Sequence, residues 1–310
     1  MISSHVSSFV GLPVVPFTPG MSLPDDPSAV AWRLEVEEHD AEPEEFAGLV
    51  RALREQVPPD AVRALVIGEW GEAYERPLPV ETLVEAAGEW TGLRAVFLAD
   101  LTYEQCEISW LTHGDITPLL AAYPSLGVLW VRGAQGLRLE PVRHAELREL
   151  RFESGGLPAG VVRAVGACEL PALHRLDLWL GRRDYGGDAS AEDLAGVLSG
   201  AGLPALRHLG LCNAEIADAV AAAVATAPVV PRLEALDLSM GTLTDEGAKA
   251  LLAGQPLTHL TRLDLEHHFL SEEMAAAVAA ALPGVRVDLS DPQVAEDFDG
   301  TLHRYTAVGE

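Results

Sequence analysis

The chain has 310 residues, 48% of them hydrophobic, with a mean hydropathy of +0.15, which is enough apolar material for an extensive core and too much for a disordered chain. Its 47 acidic residues against 21 basic ones leave a formal charge of −26, which repels nucleic-acid phosphates and anionic lipid and favours a basic or arginine-presenting protein surface. No apolar run reaches the roughly 18 residues of a membrane span, and the start lacks a basic region followed by an apolar block. Cys106, Cys168 and Cys212 are widely spaced and form no C-x-x-C pair, so a cytoplasmic protein with reduced, buried thiols is expected.

In chain order, residues 1–30 read as an N-terminal extension packing on the first repeat. A motif of the form L-x-x-L-x-L then recurs. It appears as AWRLEV from Ala31, VRALVI from Val62, LRAVFL from Leu93, LGVLWV from Leu126 and LRELRF from Leu147. It continues as LHRLDL from Leu173, LRHLGL from Leu206, LEALDL from Leu233, LTRLDL from Leu260 and a terminal LPGVRV from Leu282. About ten strands follow, at intervals of about 21 to 33 residues. Helices are expected over 43–56, 79–88, 115–122, 159–168, 190–199, 215–225, 244–253 and 271–281, several opening on Ser, Thr or Asp with an acidic residue nearby. Between Val131 and Leu147 that pattern fails, and an irregular segment is predicted. Residues 290–310 read as an acidic tail ending in HRYTAVGE, whose first part is expected to be mobile and whose last part is free to dock on the sheet end, add a strand or serve a partner.

Each motif puts alternate apolar side chains on one face of a short strand, and the following amphipathic helix covers that face. No unit buries its core alone, so neighbours stack into a parallel sheet. The units resemble leucine-rich repeats of the ribonuclease-inhibitor-like class, most specifically in LDLSMGTLTDEGAKALL, over residues 31–289. That resemblance implies an α/β solenoid, a curved horseshoe with parallel strands on the concave face and helices on the convex one. One departure is that Ala214, Gly241 and His268 stand where that class often carries Asn or Cys, so its buried amide ladder is expected to be broken. FVGLPVVPF, ITPLLAAYPSL and RYTAVGE are similar to a bacterial leucine-rich-repeat family encoded beside radical-SAM-like and ATP-grasp-like proteins. This second resemblance implies a non-catalytic accessory subunit.

With positions 1, 4 and 6 of the motif facing the core, positions 3, 5 and 7 line the open face. Position 5 then reads Glu35, Val66, Phe97, Trp130, Arg151, Asp177, Gly210, Asp237, Asp264 and Arg286. Phe97, Trp130, Arg132, Arg151, Arg175, Asp177, Trp179 and His208 supply the Trp and Arg chemistry that dominates binding hot spots. The insertions 68–78, 100–114 and 181–188 each follow a strand and precede a helix, and bring Trp70, Tyr74, Tyr103, Arg182, Arg183 and Tyr185 to one rim. The competing reading is packing or solvated ion pairs, and for Ile108 and Trp110 packing over the sheet edge is preferred.

Chemistry finds little purchase. His267 and His268 are adjacent, no H-x-x-x-H or H-E-x-x-H spacing exists, and no metal or other cofactor is expected. G-x-S-x-G and G-x-x-x-x-G-K-[ST] are absent. Asp237 and Asp264, one repeat apart, could raise one another's pKa, with a like-charge column as the ordinary alternative. The expected role is non-catalytic binding of a protein or peptide, with an inhibitor-like or substrate-presenting accessory as the alternative and no nucleic acid or membrane as partner.

Overall fold

A computed structural model describes residues 2–309, which fall into two compact units, 2–153 with 169–171 and 154–168 with 172–309. In the first, β1 (Ser8–Phe9) and β2 (Leu12–Pro16) form a hairpin, and β2 heads a parallel run. The run continues with β3 (Ala31–Leu34), β4 (Ala64–Ile67), β5 (Ala95–Leu98), β6 (Val128–Arg132) and β7 (Glu149–Glu153), paired in chain order. Helices α1 (Pro43–Gln56), α2 (Val80–Glu85) and α3 (Thr117–Ala122) fall between these strands.

The second unit opens with α4 (Ala159–Ala167) and contains β8 (Arg175–Gly181), β9 (His208–Ala214), β10 (Ala235–Asp237), β11 (Arg262–Asp264) and β12 (Arg286–Asp288), again parallel and in order. Between them lie α5 (Ala195–Ser199), α6 (Ala217–Val224), α7 (Asp245–Ala253) and α8 (Glu272–Ala281). An antiparallel pair, β13 (Glu296–Phe298) and β14 (Thr301–His303), follows. A repeated strand, turn and helix with in-order parallel pairing is the leucine-rich-repeat solenoid architecture.

Local chemistry explains the elements. Leu236, Leu238, Leu263 and Leu265 are buried by the alternation of their strands, as are Val220, Val224, Ala248 and Leu251 on the covering helices. Helix starts are tied to the preceding repeat. Asp218 accepts from the Thr244 hydroxyl (2.6 Å) and the Gly247 N–H (3.1 Å), and Asp245 accepts from the Ser271 hydroxyl (2.8 Å). Each carboxylate thus satisfies donors that the first helical turn leaves open, at the end where the helix dipole favours negative charge. Between β6 and β7 no helix forms. There His144, buried, lies 3.0 Å from the Tyr123 carbonyl through Nε2 and accepts the Leu147 N–H through Nδ1, fixing the irregular connection.

All eight expected helices are present, with ends displaced by up to five residues; the one expected over 190–199 begins as a 3-10 turn, Ala191–Leu194, before α5. At the first and last repeats, however, the register differs from expectation. Arg33, not Glu35, stands beside Val66, and Asp288, not Arg286, stands beside Asp264. A slip of one residue would turn the apolar set outward, but a slip of two preserves the alternation. The patterns AWRLEV and LPGVRV therefore fit both registers, and pairing with the neighbouring strand decides.

Candidate binding surfaces

On the open face of the first unit, Val66, Ala95 and Phe97 are buried, because the N-terminal hairpin folds over them. Phe9 is 1% exposed, with its ring 6.0 Å from Phe97 and 5.2 Å from Trp130; Val6, Leu12 and Val14 complete the cover. Phe97, expected as contact surface, is 0% exposed and belongs to this second apolar layer. Small or apolar residues at both position 3 and position 5 (Ala64, Val66, Ala95, Phe97, Val128) were the available signal. A strand that is apolar on both faces is covered on both.

Beside that layer lies a buried charge network. Asp100 is fully buried and accepts from Arg33 Nη1 at 2.7 Å, Arg132 Nη1 at 2.9 Å and the Val6 N–H at 3.1 Å. Arg132 also donates through Nε to Glu153 at 2.9 Å. Arg132, another expected contact residue, is thus 5% exposed and committed to internal pairs. Removing such charges from water costs several kcal/mol per ion, which only mutual pairing offsets. Trp130 and Arg151 stay half-buried. The Arg151 guanidinium lies 4.1 Å from the Trp130 ring centroid, and the Trp130 indole N–H donates to Glu149 at 2.9 Å.

The insertions divide between packing and exposure. One Glu69 carboxylate oxygen accepts from the backbone N–H groups of Trp70, Gly71 and Ala73, which folds the 68–78 loop. Trp70 is consequently 2% exposed, its indole N–H donating to the Arg76 carbonyl. Tyr74 is exposed and stacks on His39 at 5.1 Å, and Tyr103 is exposed. Ile108 is buried, yet Trp110 is 55% exposed and lines a cavity of about 340 Å³ with His39, Tyr74, Gln105, Cys106 and Glu107, so packing accounts for Ile108 but not for Trp110. A wider cavity, about 670 Å³, lies among Val10, Leu12, Val128 and the exposed Arg63, Arg94 and Arg148. These arginines occupy position 2 of their motifs, outside the columns that sequence reasoning followed.

The second unit presents a different face. Its position-5 column reads Asp177, Gly210, Asp237, Asp264 and Asp288, and its position-3 column Arg175, His208, Ala235, Arg262 and Arg286. Most of these residues, Arg175, Asp177, His208, Asp237, Arg262, Asp264 and Arg286 among them, line a cavity of about 360 Å³. Arg175 donates to Asp177 at 2.7 Å, and Arg262 to Asp264. Asp237 differs. Ala235 holds the place of an arginine on its strand, and among the described residues the Asp237 carboxylate forms no ion pair; its partners are neutral, the Ser239 N–H at 3.0 Å and the side chains of Ser239 and Cys212. Burial holds the Asp237 carboxyl above the usual carboxylate range, and Asp264 beside it adds to the rise. Gly210 lies between Asp177 and Asp237, and a Cβ there would come 2.5 Å from Asp177 Oδ1. Only glycine lets that carboxylate lean over the strand. Half-buried Trp179 and His208 border this face.

The remaining reactive groups are inert or structural. Burial pushes the Cys106 thiol up to about 12 and raises Cys212 as well. Buried His268 is held by the Leu289 carbonyl and the Leu270 N–H, and among the described residues no group of His, Cys, Asp or Glu could hold a metal ion. No helix among the described residues is long and apolar enough to cross a membrane.

No family model matches the sequence, and no curated protein matches it. Solved structures do. A Bacteroides fragilis protein is 29% identical, with a TM-score of 0.74, over 84% of this chain and 75% of that one. A leucine-rich-repeat protein of Leptospira interrogans is 13% identical over 84% of this chain and 61% of its own, with a TM-score of 0.36. TLR13, solved in complex with ssRNA13, is 18% identical over 80% of this chain and 36% of its own, with a TM-score of 0.38.

Proposed function

We propose that this chain is a non-catalytic protein-interaction scaffold or accessory subunit, and that the sheet face of its second unit grips a basic segment of a protein or peptide partner. The supporting observation is Asp237. Arginine and aspartate pair two residues apart on β8 and β11, while among the described residues no cation pairs with the carboxylate on β10. A partner's guanidinium above Gly210, between Asp177 and Asp237, would complete the alternation and offset the burial of Asp237, since charge-assisted hydrogen bonds to a carboxylate are the strong ones. The charge of −26 favours such a partner and opposes a polyanion; the RNA named with TLR13 belongs to that protein. The accessory role implied by the resemblance to a bacterial family, and the ribonuclease-inhibitor-like character of the units, fit this reading. So does a division into an extension over 1–30, repeats over 31–289 and a tail over 290–310.

Titration with a tetra-arginine peptide, against the same peptide carrying citrulline, tests the site. Asp237→Asn is expected to weaken arginine-peptide binding about tenfold, the size of one charge-assisted hydrogen bond, and to leave citrulline binding unchanged. Copurification from the native host extends the test to the natural partner, which should be lost from Asp177→Asn/Asp237→Asn and kept by Trp130→Ala/Arg151→Ala. Retention by the former at unchanged folding would sink the assignment.

A further inference from the structure

In four successive repeats of the second unit the chain turns left-handed at the end of the strand, within β9 at Asn213 and three residues beyond β10, β11 and β12. Asn213, Met240, His267 and Asp291 have φ of 54°, 67°, 60° and 56° and occupy the same position in successive repeats. The N–H groups of Asn213, Met240 and His267 donate to the Ser239, Glu266 and Ser290 carbonyls of the next repeat, and the Met240 carbonyl and the Asn213 and His267 side chains take further partners. Three of the four turns find one in the chain's own segment Tyr305–Val308. Buried Asn213 pairs with Val308 twice, its Nδ2 donating to the Val308 carbonyl at 2.6 Å and its Oδ1 accepting the Val308 N–H at 3.0 Å. The Ala307 N–H donates to the Met240 carbonyl at 2.9 Å, and His267 Nε2 lies 3.1 Å from the Tyr305 carbonyl. The segment therefore crosses the turns of β11, β10 and β9 in succession.

Almost all of this recognition is directed at main-chain atoms, which any extended polypeptide carries. Side-chain selection enters where the Arg182 guanidinium lies 5.1 Å from the Tyr305 ring centroid and where Thr306 and Val308 are buried, the Thr306 hydroxyl donating to the Val308 carbonyl at 3.2 Å. The insertion 181–188, expected to meet a partner, thus meets the chain itself; the Tyr185 ring also stands against Gly309. By contrast, the tether leading to the seat holds on to little. Every residue of β13 and β14 is exposed, and Val294, Phe298 and Leu302 are 87%, 57% and 59% exposed.

We infer that the row of left-handed turns in the second unit is a binding site for an extended segment of another protein, of the pattern aromatic-Thr-small-β-branched, and that residues 305–308 fill it in cis until such a segment displaces them. A tethered occupant has an effective concentration in the millimolar range, so a free peptide binds the intact chain poorly and a chain with a weakened tail well.

The full-length chain and its Val308→Asp variant, in which the buried Val308 becomes a charge, are titrated with a fluorescent peptide of sequence HRYTAVG and with a scrambled version. The expected result is at least tenfold tighter binding of HRYTAVG to the variant than to the unaltered chain, with no such gain for the scramble. Adding Asn213→Asp, which keeps the acceptor but removes the donor and tolerates the left-handed turn, should reverse the gain. Failure of a normally folded Val308→Asp chain to bind the peptide, or equal binding of the scramble, would overturn the inference. Dimers of the unaltered chain that disappear in Val308→Asp would overturn it too, by assigning the turns to a second copy's tail. None of these readouts depends on Asp237.

Discussion

The two units use the same strand repeat and finish their open faces differently. In the first, positions 3 and 5 are mostly apolar and the N-terminal hairpin turns them into a second core layer, with Asp100, Arg33 and Arg132 sealed beside it. In the second, the same positions carry Arg and Asp, and the face stays open around Asp237. A parallel strand backbone thus does not decide whether its outward face is core or binding surface. The side chains at two alternating positions decide it, together with whether a segment elsewhere in the chain is apolar enough to cover them.

The comparison breaks most visibly at the cover. Phe9→Ala should destabilise the first unit by about 3 to 5 kcal/mol, the range for emptying a buried aromatic site, as measured by urea denaturation. A loss below about 1 kcal/mol would mean that the hairpin is an ornament on an otherwise complete unit. The buried network offers a sharper contrast. Asp100→Asn leaves two buried guanidinium groups short of a counter-charge and should cost about 3 kcal/mol. Asp264→Asn, whose partner Arg262 has a side chain 42% exposed, should cost no more than about 1 kcal/mol.

Acid provides a third probe, confined to the first unit. His113 is buried, with Nε2 2.7 Å from the Arg132 carbonyl, and burial depresses its pKa from 6.5 to about 4. Between those values the unfolded chain binds the proton and the folded chain does not. The neutral-imidazole contribution is therefore whole above pH 6.5, declines as pH falls, and is gone below about 4. The full loss is about 3 kcal/mol at 1.36 kcal/mol per pH unit. Stability measured at pH 7 and pH 4 should differ by about that much less in His113→Gln than in the unaltered chain, and an unchanged slope would remove His113 from the account.

Much of the architecture was legible because periodicity is a local property. The L-x-x-L-x-L motif and the Ala-rich runs after it placed β3 to β12 and all eight helices, and the missing pattern after Val131 marked the irregular connection. The site was legible only in part. Arg175, Asp177 and His208 do line a cavity of the open face, but Phe97, Arg132 and Trp70 are packed inside. Phe97 sits among strands apolar on both faces, a legible signal, whereas Arg132 and Trp70 are committed to Asp100, Glu153 and the Arg76 carbonyl by contacts that no local pattern announces. Three of the four left-handed turns fall on Asn, His and Asp, types that this backbone favours, but nothing local marks them as the seat of Tyr305–Val308.

By itself, then, the sequence determined the repeat, the alternation of inward and outward side chains and the acidic character of the molecule, all of which follow from residues within a few positions of one another. Only the tertiary structure decided the register of AWRLEV and LPGVRV, the covering of one face by Phe9 and the cross-repeat pairing of Asn213 with Val308. Each of these is a contact between segments far apart in the chain, where a two-residue slip or a folded-back terminus leaves local patterning unchanged and alters only which groups meet.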